Sequence, residues 1–130
     1  HPKTSASPLL ISLISFGFKY GIPLESDLMF DVRFLPNPNF VKRLKSKTGQ
    51  DKEVIDYIRS YSQSIELIRR LSELLLFLIP NYMIEGKSYL TISVGCTGGK
   101  HRSVMIANEL NGMLSSRGLK TKVSHRDIAH

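Results

Sequence analysis

Short apolar segments, bounded by glycine, proline or polar residues, divide the chain and predict four β-strands. The first is rich in leucine and isoleucine, which is typical of a strand buried on both faces. In the second, Phe30, Val32 and Phe34 share one side of the strand. The predicted strands cover residues 9–15, 29–35, 89–94 and 121–124.

Apolar residues also recur every three or four positions, a spacing that predicts helices. One helix should begin at Asp51, a good N-cap residue. A second should run from Ile65 to Pro80, where the proline is expected to kink or end it. A third should cover 104–114, followed by Gly118 at the position of a C-cap glycine.

The order of these elements predicts an α/β fold. We expect a single domain over residues 1–130, with residues 1–8 as a flexible lead-in. It should be a two-layer or three-layer sandwich around a mainly parallel sheet of about four strands, ending in a strand–phosphate loop–helix–strand unit. The apolar run 8–18 is shorter than the ~20 residues of a membrane span and lacks a small-residue cleavage site, so no membrane partner is expected.

The charge balance favours an anionic partner. Lys and Arg number 18 against 11 Asp and Glu, which gives a net charge of +7 and an isoelectric point near 9.7. The single cysteine, Cys96, excludes an intrachain disulfide and fits a reducing, cytoplasmic compartment. The four histidines show no metal-ligand spacing, so we expect no metal and no cofactor.

The segment Cys96–Ser103, with the sequence CTGGKHRS, joins a predicted strand to a predicted helix. In open α/β sheets, ligands bind where strands end and a helix N-terminus offers unpaired N–H groups and partial positive charge. Glycines let several amides turn toward one anion, and basic and hydroxyl side chains can hold its oxygens. We therefore expect a phosphate-like anion here, with Ser103 also a candidate helix cap. The expected binding residues are Cys96, Thr97, Gly98, Gly99, Lys100, His101, Arg102 and Ser103, joined by Lys19 from the loop after the first strand.

The same segment also contains Cys-x5-Arg-Ser, the phosphate loop pattern of cysteine-dependent phosphatases. There a thiolate attacks phosphorus and an arginine holds the oxygens, so Cys96 and Arg102 would be catalytic. A helix N-terminus and nearby basic side chains favour a thiolate. No aspartate is marked by the sequence as the general acid that the reaction needs. Without such an acid we expect no catalytic residue.

Two further basic groups differ in what they predict. The basic stretch 42–47 is typical of a solvated loop. After the last predicted strand, His125 and Arg126 fall at another carboxyl end and could face the same anion site. With Lys120 and Lys122 they also form a modest basic group that could contact nucleic-acid phosphates.

Three ungapped motifs resemble the RapZ/YvcJ family. They are SFGFKYGIP at 15–23, FDVRFLPNP at 30–38 and the loop 95–103, in the same order and spacing. Shorter matches extend the resemblance over nearly all of the chain from Leu9 onward, among them TGQDK at 48–52, SYLT at 88–91 and HRD at 125–127.

This resemblance implies a two-domain protein whose C-terminal domain matches the present chain. The N-terminal domain would be a P-loop nucleotide-binding domain and would carry the ATPase or GTPase activity. The chain contains no G-x-x-x-x-G-K-[ST] sequence, so we assign no such activity to it and expect it to be part of a longer protein.

The resemblance further implies a regulatory domain that binds a phosphorylated amino sugar such as glucosamine 6-phosphate. Enterobacterial members also present small RNAs to a ribonuclease, and such domains form homo-oligomers. Carried over by position, Ser88, the loop Asn37–Asn39 and Lys19 would join the pocket, which adds Asn39 and Ser88 to the expected binding residues. Tyr20 and Asn39 stand where histidine is expected in enterobacterial members, and the last six residues lack their basic cluster.

Three functional hypotheses follow. The leading one is a regulatory domain that binds a sugar phosphate, phosphate or sulfate, with RNA and a ribonuclease as further partners. The second is a cysteine phosphatase. The third is a domain that only assembles a P-loop nucleotide-binding protein, with the anion site serving structure.

Overall fold

Four parallel strands form the sheet, in the order β2-β3-β1-β4. The computed structural model describes residues 8–130. All four predicted strands are present, and β1 and β3 occupy the centre of the sheet, paired along their whole length. The strands are β1 (Leu10–Gly17), β2 (Leu28–Asp31), β3 (Tyr89–Cys96) and β4 (Lys120–His125).

Three helices cover one face of this sheet. They are α1 (Lys52–Arg59), α2 (Ser62–Glu85) and α3 (Arg102–Ser116). Helix α3 packs against β1, β3 and β4, while α2 packs on α3 and α1 on α2. The core between sheet and helices includes Ile11, Leu13, Ile92, Leu75 and Leu110, which are all buried. This arrangement confirms the predicted α/β domain with a parallel sheet and its β3–α3–β4 unit.

The expected end of β2 is wrong, and Pro80 does not end α2, which was one of the two effects expected of it. Strand β2 ends at Asp31 instead of residue 35, because the Asp31 carboxylate accepts a hydrogen bond from the Arg33 backbone N–H (2.9 Å) and turns the chain. Phe34 is therefore exposed. Helix α2 continues past Pro80 to Glu85, since the proline lies on the exposed side while its neighbour Ile79 is held in the core.

The amino-terminal prediction is largely outside what the structure describes. Of the predicted lead-in 1–8, only Pro8 belongs to the described residues. Within the described range, no helix has the length and apolar character needed to cross a membrane.

Candidate functional site

The carboxyl ends of the two central strands meet at one edge of the sheet. Gly17 at the end of β1 pairs in register with Cys96 at the end of β3. The connection from β1 to β2 runs back across the face of β3 that the helices leave open, where the Ser26 hydroxyl contacts that of Ser93. The connection from β3 to β4 is α3, on the other face. Connections that leave toward opposite faces create a crevice at this edge, where open α/β sheets bind ligands.

Glycines allow the phosphate loop, residues 96–103, to pack against the end of β1. A Cβ atom on Gly17 would lie 2.4 Å from the carbonyl carbon of Gly98. Gly99 has a φ of +76°, and a Cβ there would lie 2.6 Å from the Gly17 nitrogen. Only glycine fits such a contact and adopts this φ without strain. The Lys19 backbone N–H also donates to the Thr97 carbonyl (3.2 Å), which fixes the loop to the chain after β1.

The N-terminus of α3 points its partial positive charge at this loop. His101 is the N-cap residue, its side chain makes no capping hydrogen bond, and no acidic residue occupies the first turn. The predicted cap, Ser103, is instead inside the first turn and fully buried, because the helix begins at Arg102. The expectation that Ser103 caps the helix is therefore wrong.

Arg102 is the most buried cation of the loop, with 5% of its surface exposed. Its Nη1 donates to the backbone carbonyls of Arg33 (2.5 Å) and Leu35 (3.2 Å), and its Nη2 donates to the Thr97 hydroxyl (3.4 Å). Within residues 8–130 its buried Nε has no hydrogen-bond partner. Burial lowers the pKa of Arg102, but an arginine stays charged at neutral pH. The Arg102 guanidinium is thus a charged group whose Nε–H has no partner among the described residues.

The preceding residue, His101, also has a buried nitrogen without a partner among the described residues. It is also 5% exposed, and its buried Nε2 has no partner among the described residues. Burial lowers the pKa of His101 and Lys100 lowers it further, while the carbonyls of the segment 44–47 oppose the shift. The imidazole is therefore neutral at pH 7, able to donate or accept one hydrogen bond.

The thiol of Cys96 lies beneath the loop, with 2% of the residue exposed. Its sulfur accepts a hydrogen bond from the Gly99 backbone N–H (3.3 Å) and contacts the Ser103 hydroxyl at 3.1 Å. Gly99 and Ser103, which the sequence analysis expects to bind ligand, thus both contact the Cys96 sulfur.

A cleft of about 320 Å³ opens over the loop. Eight of the expected binding residues line it together, whereas Ser88 lies at the amino end of β3, at the opposite edge of the sheet. The eight are Lys19, Asn39, Cys96, Thr97, Gly98, Lys100, His101 and Arg102.

Four more residues line the cleft, and the sequence marked two of them only weakly. Asn37 belongs to the expected loop and Tyr20 to the first family motif, whereas Lys45 and His130 were not foreseen. Lys45 lies in the segment expected to be a solvated loop, where the single apolar residue, Leu44, is fully buried and anchors the chain. His130 stacks on Tyr20, with ring centres 3.9 Å apart.

The four residues expected to contact nucleic acid lie in two different kinds of surroundings. Lys120 and Lys122 are exposed on the open face of the edge strand β4. His125 points to the helical side, where its ring nitrogens bond to Ser15 (2.6 Å) and Asn108 (3.0 Å). Arg126 is bound to the Asp127 carboxylate (2.9 Å). Two of the four residues are therefore engaged within the protein.

The described part of the chain contains no group of three or more His, Cys, Asp or Glu placed to hold a metal ion.

Comparison with known proteins gives consistent matches. The profile of a protein family described as RapZ C-terminal domain matches residues 9–129. A nucleotide-binding protein of Solibacter usitatus (strain Ellin6076) is 58% identical over 94% of this chain, which corresponds to 38% of that protein. Nucleotide-binding proteins of Caldicellulosiruptor saccharolyticus and Clostridium botulinum (strain Okra / Type B1) are 54% and 57% identical over 95% and 92% of the chain, covering 42% and 41% of their length. The chain thus spans about two fifths of these relatives.

Proposed function

The chain belongs to the RapZ C-terminal domain family, and on that premise we propose that it binds a phosphorylated small molecule in the cleft over its phosphate loop. The observation that carries this proposal is the pair of buried nitrogens without partners, Arg102 Nε and His101 Nε2, on two residues that line the cleft beside the N-terminus of α3. A buried polar group left unpaired costs about 1–3 kcal/mol. A phosphate bound in the cleft would lie beside both residues and the helix terminus.

The proposed role is regulatory, as the family resemblance implies, and glucosamine 6-phosphate is the first ligand to test. Binding uses Arg102, the backbone of the loop and the neutral His101, and it consumes no substrate. The proposed location is the cytoplasm, which agrees with a single buried thiol.

Calorimetric titration with glucosamine 6-phosphate and with inorganic phosphate tests the proposal. We expect Arg102→Ala to weaken binding of both by about 10- to 100-fold, since a charge-assisted hydrogen bond contributes roughly 1.5–3 kcal/mol. Arg102→Lys, which keeps the charge, should retain part of the affinity. Arg117→Ala, at the exposed far end of α3, is the matched control and should bind like the parent protein.

Absence of heat with either ligand at millimolar concentration would contradict the proposal, as would equal affinities of the parent and Arg102→Ala. Circular dichroism of each variant checks that its fold is intact, because Arg102 also binds two backbone carbonyls.

A second candidate function is supported by the surroundings of the thiol. The Gly99 backbone N–H donates to the Cys96 sulfur, as an amide would to the attacking sulfur of a cysteine phosphatase. Turnover of an aryl phosphate by the parent protein, abolished in Cys96→Ser while phosphate binding persists, would support it. A parent protein without turnover would exclude it.

RNA binding, presentation to a ribonuclease and self-association are the remaining proposals. Lys120 and Lys122, exposed on an edge strand, could contact RNA phosphates without reading sequence. Such binding should weaken steeply with salt, and replacing both lysines with glutamine should reduce that salt dependence. Binding that does not change with salt would contradict it. The third hypothesis, a domain that assembles the longer protein, is the one that would remain if the domain bound neither phosphate nor RNA.

A further inference from the structure

Asp127 lies shortly after β4, at the edge of the sheet where the phosphate loop packs. Only 3% of the residue is exposed. Its Oδ2 atom accepts a hydrogen bond from the Gly17 backbone N–H (2.8 Å), at the end of the central strand β1. A Cβ atom on Gly99 would lie 2.9 Å from the Cβ of Asp127, so this side chain also packs on the loop. Asp127 therefore contacts both of the glycines whose close approach shapes the phosphate loop.

The charge of the Asp127 carboxylate is compensated within the protein. Burial raises the pKa of Asp127, but the Arg126 guanidinium and the Gly17 N–H lower it, and the pKa ends below its usual value. The Arg126 Nη2 atom donates to this carboxylate (2.9 Å) and to the Gly21 carbonyl, in the turn after β1. Asp127 is thus an ionised group that is paired locally and does not line the cleft.

The turn that carries Asp127 is itself held on both sides. Before it, the Arg126 backbone N–H donates to the Ser15 carbonyl of β1 (2.9 Å) and so continues the pairing of β4 with β1. After it, the His130 backbone N–H donates to the Asp127 carbonyl (3.3 Å), and the His130 ring stacks on Tyr20. These contacts fix the backbone from which the carboxylate reaches the end of β1.

From these contacts we infer that Asp127 is a positioning residue for phosphate binding, which holds the Gly17 N–H and packs on Gly99 so that the phosphate loop keeps its anion-binding conformation. This inference rests on the proposed function and adds to it a residue that does not contact the ligand. Asp127 acts through the position of its acceptor oxygen and not through its charge, because that charge is paired with Arg126.

Calorimetric titration with inorganic phosphate tests the inference on two variants. In Asp127→Ala the Gly17 N–H loses its acceptor, and we expect phosphate to bind about tenfold more weakly, the lower end of what outer partners contribute at metal sites. In Asp127→Asn an amide oxygen can replace the carboxylate oxygen, so the affinity should stay within about threefold of the parent protein. Asp56→Ala is the matched control and should bind like the parent protein, since Asp56 is an exposed aspartate of α1 that pairs with Lys52.

A measurement on the parent protein does not depend on how well the variants fold. If the contact between Asp127 and Gly17 favours binding, phosphate must in turn stabilise that contact, because coupling between two sites is reciprocal. Saturating phosphate should therefore slow amide hydrogen exchange at Gly17 more than at Leu10, whose N–H bonds to the Ser88 carbonyl at the opposite edge of the sheet.

The outcomes separate the inference from the proposed function. If phosphate binds and Arg102→Ala weakens that binding, but Asp127→Ala binds like the parent protein, only the inference fails. It also fails if Asp127→Asn loses as much affinity as Asp127→Ala, since the charge would then matter, or if phosphate slows exchange at Gly17 no more than at Leu10. If the parent protein does not bind phosphate, both are overturned.

Discussion

Gly99 and Gly17 are the residues on which the shape of the phosphate loop depends most directly. A methyl group at Gly99 would meet the Gly17 backbone at 2.6 Å in a conformation of positive φ. Neither backbone can yield without opening the loop, because Gly17 is the last residue of a central strand and Asp127 holds its N–H (2.8 Å). The close approach of the loop to β1 therefore demands glycine at both positions.

Replacing Gly99 with alanine should lower the free energy of unfolding by about 1–3 kcal/mol, from left-handed strain plus the clash. Gly112→Ala is the control, since Gly112 lies in α3 with no atom near its missing Cβ. That change should raise stability by roughly 0.5–1 kcal/mol. Urea unfolding of both variants measures the difference, and a Gly99→Ala protein as stable as the parent would show that the loop does not pack as described.

At this scale the sequence predicted the residues of one continuous segment, together with Lys19 and Asn39, but missed two others that join the cleft from elsewhere. Thr97, Gly98 and Arg102 were predictable because a strand, two glycines and a helix follow one another along the chain. Lys45 and His130 reach the cleft only because Leu44 is buried and because the last residue stacks on Tyr20. Such contacts leave no periodic pattern in the sequence.

At the scale of elements, His125 connects three of them. Its side chain lies at the end of β4 and bonds to Ser15 of β1 and Asn108 of α3. Burial lowers the pKa of His125 below its ordinary value of 6.5, so the folded protein keeps this ring neutral. His125 therefore fastens the edge strand to the central strand and to the helix.

A pH-dependent stability follows from this connection. Below about pH 6.5 the unfolded chain binds a proton that the folded chain excludes, so the free energy of unfolding should fall as the pH falls. Each such histidine contributes at most about 1.4 kcal/mol per pH unit, and buried His101 acts in the same direction. Urea unfolding between pH 8 and 5 measures the slope.

The variant His125→Gln should lessen that slope by about half and leave the contribution of His101. Parallel slopes for the parent and His125→Gln would contradict the assignment.

The boundaries of elements were less predictable than their number and order. All four strands and three helices follow from hydrophobic spacing, because a buried face imposes its period on the sequence. The end of β2 depends on one side-chain hydrogen bond, from Asp31 to Arg33, which no periodicity reports. The length of α2 depends on its packing, since the buried Ile79 holds the helix through Pro80.

At the scale of the whole molecule, the fold distributes both its helices and its positive charges unevenly around the sheet. The helices cover one face of the sheet, and four of the cations behind the net charge of +7 line one cleft at the ends of its central strands. The sequence predicted an anionic partner from this total but could not place the charges in space. The family resemblance predicted a part of a longer protein, and the chain does span about two fifths of its relatives.

The most direct test of the account is a nuclear magnetic resonance titration of the isotopically labelled protein with inorganic phosphate. The account predicts saturable shifts of the backbone amides of residues 97–103 and of the Arg102 Nε–H resonance, the group that lacks a partner in the described structure. The amides of β4 should remain unchanged. An Arg102 Nε–H resonance that does not move, or shifts confined to Lys120 and Lys122, would contradict it.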